Sequence, residues 1–241
     1  MRKTLMFLLI ITLLLSLAIF GCSKNKSTNN GNGDGILNPQ DYDFGLIVYD
    51  LGFRNTYEIE VTNWDWENPI TDVQLNINGN PVTIQSGLGE YDFTPGQTYN
   101  FDLTIGRAVY DFDLQINSNL FVNWPETYDP SQATTVNWTQ LEDPDYQDFF
   151  LEGYDMSWDE YEYEYEVLNN SARSFTIPAN WIGSSWFEYY MSLWSVNYTV
   201  SGNLIAASES SDGMSYYYET KGVKTDFNRL ERFQKFIEKI K

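Results

Sequence analysis

The chain contains no histidine and a single cysteine, and lysine and arginine are scarce over most of its length. Without histidine there is no Ser-His-Asp or Cys-His site and no zinc site of the histidine kind. With one cysteine there is no internal disulfide, so the fold must stand on its hydrophobic core. Between Ser27 and Thr220 there are 31 Asp and Glu against Arg54, Arg107 and Arg173, a net charge of −28. That stretch lacks the basic footprint of a nucleic-acid-binding protein. It suits plain solubility, a divalent cation or a cationic partner. The cations are concentrated elsewhere: residues 221–241 hold seven basic side chains against Asp226, Glu231 and Glu238, a net of +4.

One charge-free run that is almost wholly apolar stands near the start. Arg2 and Lys3 precede the apolar stretch Thr4 to Phe20, which ends at Gly21 and Cys22. A short positive start, an apolar run and a small residue form the pattern of a secretory signal. Ile19-Phe20-Gly21-Cys22 resembles a lipobox, where bacterial lipoprotein signals are cut before a cysteine that receives lipid. The resemblance implies a signal peptide over 1–21 and a diacylglyceryl thioether on Cys22, often with an amide-linked acyl chain. Two or more chains anchor stably, whereas one binds reversibly. Ser23 after the cysteine is, by the same resemblance, permissive for the outer membrane. An uncleaved span is the competing reading, since about 18 apolar residues begin to suffice; an ordinary signal with a chance cysteine is another. The sole cysteine stands where the lipobox requires it, which favours lipidation.

Residues 22–36 (CSKNKSTNNGNGDGI) are polar and rich in Asn and Gly, and are expected to be a flexible tether after the lipidated cysteine. Asn30 to Asp41 also resembles the calcium loop of EF-hands and dockerins. Asn30, Asn32, Asp34, Asn38 and Asp41 would supply oxygen ligands at alternate positions, and Gly35 the sharp bend. A tether that matches by composition is the favoured alternative, because strands and not a helix follow.

From about residue 41 the pattern turns to period two. Tyr57, Ile59 and Val61 alternate with polar residues, as do Val73, Leu75 and Ile77, Tyr99 to Ile105, and Tyr110 to Ile116. Asn78-Gly79 between alternating runs is the strongest short-range hairpin signal. With 17% aromatic residues, which pack well on pleated surfaces, residues 37–122 are expected to form a β-sandwich. Two prolines within Val122 to Gln132 mark a boundary.

Residues 123–223 resemble a fibronectin type III module. Val136-Asn137-Trp138 stands where that family carries its B-strand tryptophan, and Tyr189 to Asn197 (YYMSLWSVN) matches its F-strand run. The resemblance implies an immunoglobulin-like sandwich with a G strand over Ser215 to Val223. The stretch before Tyr189 departs from the family, with Trp181-Ile182 near where Leu-x-Pro-Gly usually stands. The expected fold is therefore mainly β: two tandem sandwiches of this class and a short C-terminal α-helix. That helix is read over 224–241, where Leu230, Phe233, Phe236, Ile237 and Ile240 share one stripe, Thr225 serves as N-cap, and lysines fill the last turn.

Candidate chemistry is sparse. Paired carboxylates of the glycosidase type remain open by composition, but no spacing singles out a pair. Glu160 to Val167 (EYEYEYEV) places tyrosines on one strand face and glutamates on the other, which suits a charge-protected edge strand. If Tyr189, Met191 and Leu193 face a core, Tyr190 and Trp194 face away and become a candidate binding platform. Trp64, Trp66 and Trp158 sit in acidic, loop-like contexts. The expected function is a lipid-anchored, non-catalytic binding or structural module of the cell envelope, without a cofactor unless calcium binds. Its partners would be the membrane and a protein or glycan, with no nucleic acid. A carbohydrate-binding surface lipoprotein is the alternative, and a carboxylate glycosidase a weaker one.

Overall fold

The period-two segments become strands because alternation presents one apolar face to a core. The structure is a computed structural model that describes residues 43–53, 56–63, 70, 72–156 and 160–217. The residues expected to form the lipobox with Cys22, the tether, the calcium loop and the C-terminal helix lie outside the described residues, as do Trp64, Trp66 and Trp158. Among the described residues there are fourteen strands: β1 (Phe44–Phe53), β2 (Thr56–Asn63), β3 (Val73–Ile77), β4 (Asn80–Val82), β5 (Leu88–Asp92), β6 (Thr98–Ile105), β7 (Ala108–Gln115), β8 (Phe121–Asn123), β9 (Thr134–Thr139), β10 (Tyr146–Tyr154), β11 (Tyr161–Val167), β12 (Ser174–Ile177), β13 (Glu188–Ser201) and β14 (Leu204–Tyr217). The described residues contain no helix long and apolar enough to cross a membrane.

The strands form a four-stranded sheet β4-β3-β6-β7, a three-stranded sheet β12-β9-β8, and a seven-stranded sheet β11-β10-β13-β14-β1-β2-β5. Among the described residues each half thus contributes seven strands split three and four, the layout of a fibronectin type III-like sandwich. The expected pair of tandem sandwiches needs one correction. They are not separate beads, because β1 pairs in parallel with β14 from Phe44↔Leu204 to Tyr49↔Glu209 and fuses one sheet of each half into the seven-stranded sheet.

Asn78 and Gly79 turn the β3–β4 hairpin with φ of 50° and 75°, as the Asn-Gly signal requires. Core one is filled by Leu46, Val48, Ile59, Phe101, Leu103 and Phe112. Core two contains Val136 and Trp138 from β9, Phe149 and Leu151 from β10, and Tyr189, Met191 and Leu193 from β13. Each such large side chain contributes roughly 1.5–3 kcal/mol when fully buried.

The expected G strand over 215–223 is misplaced. The strand runs Leu204–Tyr217, and its inward residues serve three purposes in succession. Leu204 and Ala206 enter core one. Ser208, Ser210 and Asp212 accept the backbone N–H groups of Asn117, Leu120 and Val122 at 2.9, 3.0 and 3.2 Å, fastening the connection between the sandwiches. Met214 and Tyr216 pack in core two.

Both sandwiches carry a tyrosine whose hydroxyl is tied to backbone upstream of its own strand. The Tyr189 hydroxyl donates to the Gly183 carbonyl at 3.1 Å, although Leu-x-Pro-Gly is missing there. In the first sandwich the Tyr99 hydroxyl accepts from the Thr94 N–H at 2.9 Å. Phe93-Thr94-Pro95-Gly96 before Tyr99 supplies the pattern that the second sandwich lacks.

Candidate binding surface

The seven-stranded sheet has two faces, and only one faces the two small sheets. Pairing places Tyr165, Phe150, Ser192 and Gly213 in one row across β11, β10, β13 and β14. Tyr163, Glu152, Tyr190 and Ser215 form the next row, and Tyr161, Tyr154, Glu188 and Tyr217 the row after it. Val167, Asp148, Trp194 and Ser211 lie on the other side of the Tyr165 row. This outer face therefore combines aromatic rings with carboxylates.

Tyr190 and Trp194 do point away from core two, as their alternation implies, but they are not an exposed platform. Trp194 is 1% exposed and Tyr190 6%. Trp194 packs with Ile47, Tyr146, Val196, Ile205 and Ala207 in a third apolar cluster, and its Nε1 donates to Glu209 Oε2 at 2.9 Å. Tyr190 lies over Gly213, where a Cβ would run into the tyrosine hydroxyl. Outward alternation failed to predict exposure because β13 is a central strand with both faces buried.

The exposed aromatics stand instead on the edge strand β11. Tyr161, Tyr163 and Tyr165 are 61%, 44% and 39% exposed. Tyr161 and Tyr163 stack with centroids 6.3 Å apart and planes within 17°. Tyr163 stacks on Phe150 at 5.6 Å and 25°, and Tyr161 leans on Tyr154 at 6.2 Å. These contacts hold a row of rings roughly in register along the strand. Such a row can meet the flat face of a sugar ring or an apolar partner group. The sequence carries this signal in EYEYEYEV, where alternation puts the three tyrosines on one face of the strand.

The glutamates of β11 point to the opposite side, and Glu162 has a defined task there. Its carboxylate accepts from the Gly183 N–H at 2.8 Å and from Trp186 Nε1 at 3.0 Å, tying the loop before β13 to the edge strand. Around Tyr217, burial raises the hydroxyl's pKa, and the adjacent Glu188 raises it further. Tyr189 and Tyr216, in core two, are likewise raised by burial. Among the described residues, no group of three or more Asp, Glu, Cys or His is placed to hold a metal.

No family model matches the chain, and no curated protein matches it. Among solved structures, the chicken CNTN1 FN1–FN3 domains are similar over 77% of this chain and 64% of that chain, with 10% identity and a TM-score of 0.24. The chain thus spans somewhat less than two thirds of that chain's length. The strand order described above is what relates both halves to fibronectin type III-like sandwiches.

Proposed function

We propose that this protein is a lipid-anchored, non-catalytic binding module of a bacterial cell envelope. In this reading Cys22 carries the anchor, residues 23–36 form the tether, and the fused sandwiches hold the β11 tyrosine row out toward a partner. The observation that carries the binding role is the exposed stack of Tyr161 and Tyr163 on Phe150. Rings kept in place by their neighbours lose little freedom when a ligand docks. The anchor rests on the apolar run ending at Cys22 and on the absence of any second cysteine.

A carbohydrate partner is the second reading, favoured by the near-parallel rings, whose flat exposed faces suit the C–H face of a pyranose. A glycan array probed with the mature protein tests it. Binding that is lost in Tyr161→Ala and Tyr163→Ala supports the sugar reading. An array without signal removes it and leaves a protein partner. Mass analysis of the mature chain tests the anchor: an unmodified Cys22 would remove the envelope placement.

A further inference from the structure

β11 stands at one end of the seven-stranded sheet, with no strand beyond it among the described residues. All seven of its residues, Tyr161 to Val167, are exposed. It pairs with β10 in continuous register, without a bulge, and contains no proline. Two backbone bonds fix which way its peptide groups point. The Asp155 N–H donates to the Glu160 carbonyl at 3.1 Å, and the Leu168 N–H to the Gln147 carbonyl at 3.0 Å. Both pairs continue the register of β10 with β11. Hydrogen-bonded pairs alternate with non-hydrogen-bonded ones in an antiparallel ladder. Glu162, Glu164 and Glu166 therefore turn their N–H and C=O groups toward β10, and Tyr161, Tyr163, Tyr165 and Val167 turn theirs outward.

We propose that this edge takes an extended segment of a partner protein as a further antiparallel strand, with cationic side chains at every second position. The proposal rests on the reading of β11 as the binding strand and names the chemistry of its partner. An added strand makes its hydrogen-bonded pairs with the outward groups, so partner residues opposite the tyrosines lie beside the rings. The alternate partner residues lie opposite the glutamates. Glu162 is engaged by the Gly183 N–H and Trp186 Nε1, whereas Glu164 and Glu166 stand exposed on the same face.

Charge selects the occupant. Opposite charges across two strands attract, and like charges directly opposite destabilise the pairing. A second copy of this chain is therefore a poor fit. Two β11 strands could meet antiparallel through their outward groups only with glutamate opposite glutamate. A cationic segment turns the same carboxylates into attraction. The glutamates that guard this edge against its own kind thus admit a partner of the opposite sign.

Hydrogen exchange with single-residue resolution tests the proposal on the mature protein. The probe is an eight-residue peptide alternating lysine with valine, acetylated and amidated at its ends. At saturation the Tyr161, Tyr163 and Tyr165 amides should exchange more slowly by about tenfold or more. Methylating the valine amides, which would face β11, should abolish binding, and methylating the lysine amides should not. Glu164→Gln with Glu166→Gln should weaken binding by about two- to thirtyfold, the range for two cross-strand charge pairs. No binding at millimolar peptide would overturn the proposal, as would binding that ignores the methylation pattern or is unchanged in the double glutamine variant. A dimer that protects the same amides without peptide would replace the partner with a second copy. The binding-strand reading fails separately: a ligand, sugar or peptide, that survives both Tyr161→Ala and Tyr163→Ala removes it.

Discussion

The Asn117 side-chain amide donates to both the backbone carbonyl and the hydroxyl of Ser195, at 2.7 and 3.0 Å. Gln140 Nε2 in turn donates to Asn117 Oδ1 at 2.7 Å. Asn117 is 1% exposed and lies where the chain crosses from one sandwich to the other. Asn117→Ala leaves buried partners unsatisfied and should destabilise the protein by about 2–3 kcal/mol, as read from the urea midpoint.

The shared sheet should make the sandwiches unfold together. Six residue pairs join β1 to β14, and β14 packs in both cores. Calorimetry is expected to show one transition whose calorimetric and van't Hoff enthalpies agree. Two resolved transitions would contradict this coupling.

Gly213→Ala should disturb the outer face from beneath. The added Cβ would collide with the Tyr190 hydroxyl, and overpacking of this kind destabilises by about 1–3 kcal/mol. The thermal midpoint should fall, and Gly213→Ser should lower it further.

Tyr161→Ala should leave stability within about 0.5 kcal/mol, because the side chain is 61% exposed and its ring contacts lie at the surface. Tyr163→Ala should lower it more, since Tyr163 stacks on Phe150. Any ligand of the edge strand should be lost in both, which separates recognition from folding.

Alkaline stability follows from the tyrosines. Burial first, then the charges of Asp50 and Glu142, pushes Tyr57 up from 10.0 to about 12. Tyr110, Tyr128 and Tyr198 are raised as well, chiefly by burial. Above the unfolded value the unfolded chain releases these protons while the folded chain keeps them, so the folded state loses ground as pH rises. Stability from this source should be fully present below pH 10 and lost through pH 10–12. Urea midpoints measured across this range should fall less steeply in Tyr57→Phe.

Much of this architecture is legible in the residues. Alternation located β2, β3, β6 and β7, the Asn-Gly pair located a hairpin, and Trp138 and Tyr189 occupy the places their resemblance implies. The misplaced last strand has a physical cause. Leu204-Ile205-Ala206-Ala207 is buried on both faces and so shows no alternation, and the following Ser208, Ser210 and Asp212 look like loop residues until their backbone partners are seen. Tyr190 and Trp194 were legible in direction but not in exposure, because what covers a face is a long-range property. The β11 tyrosines were legible as a row, but the stacking of Tyr163 on Phe150 was not.

The parallel pairing of β1 with β14 also orders events in time. Phe44 meets Leu204 across most of the described chain, a contact of very high sequence separation that forms slowly. Core one cannot be completed until Leu204 and Ala206 arrive from the far end. A chain emerging from its N-terminus would therefore hold its first sandwich unfinished until β14 had appeared. Interrupted synthesis or proteolytic loss of β14 would leave neither half able to close, so damaged copies should be cleared as whole molecules and not persist as a surviving domain.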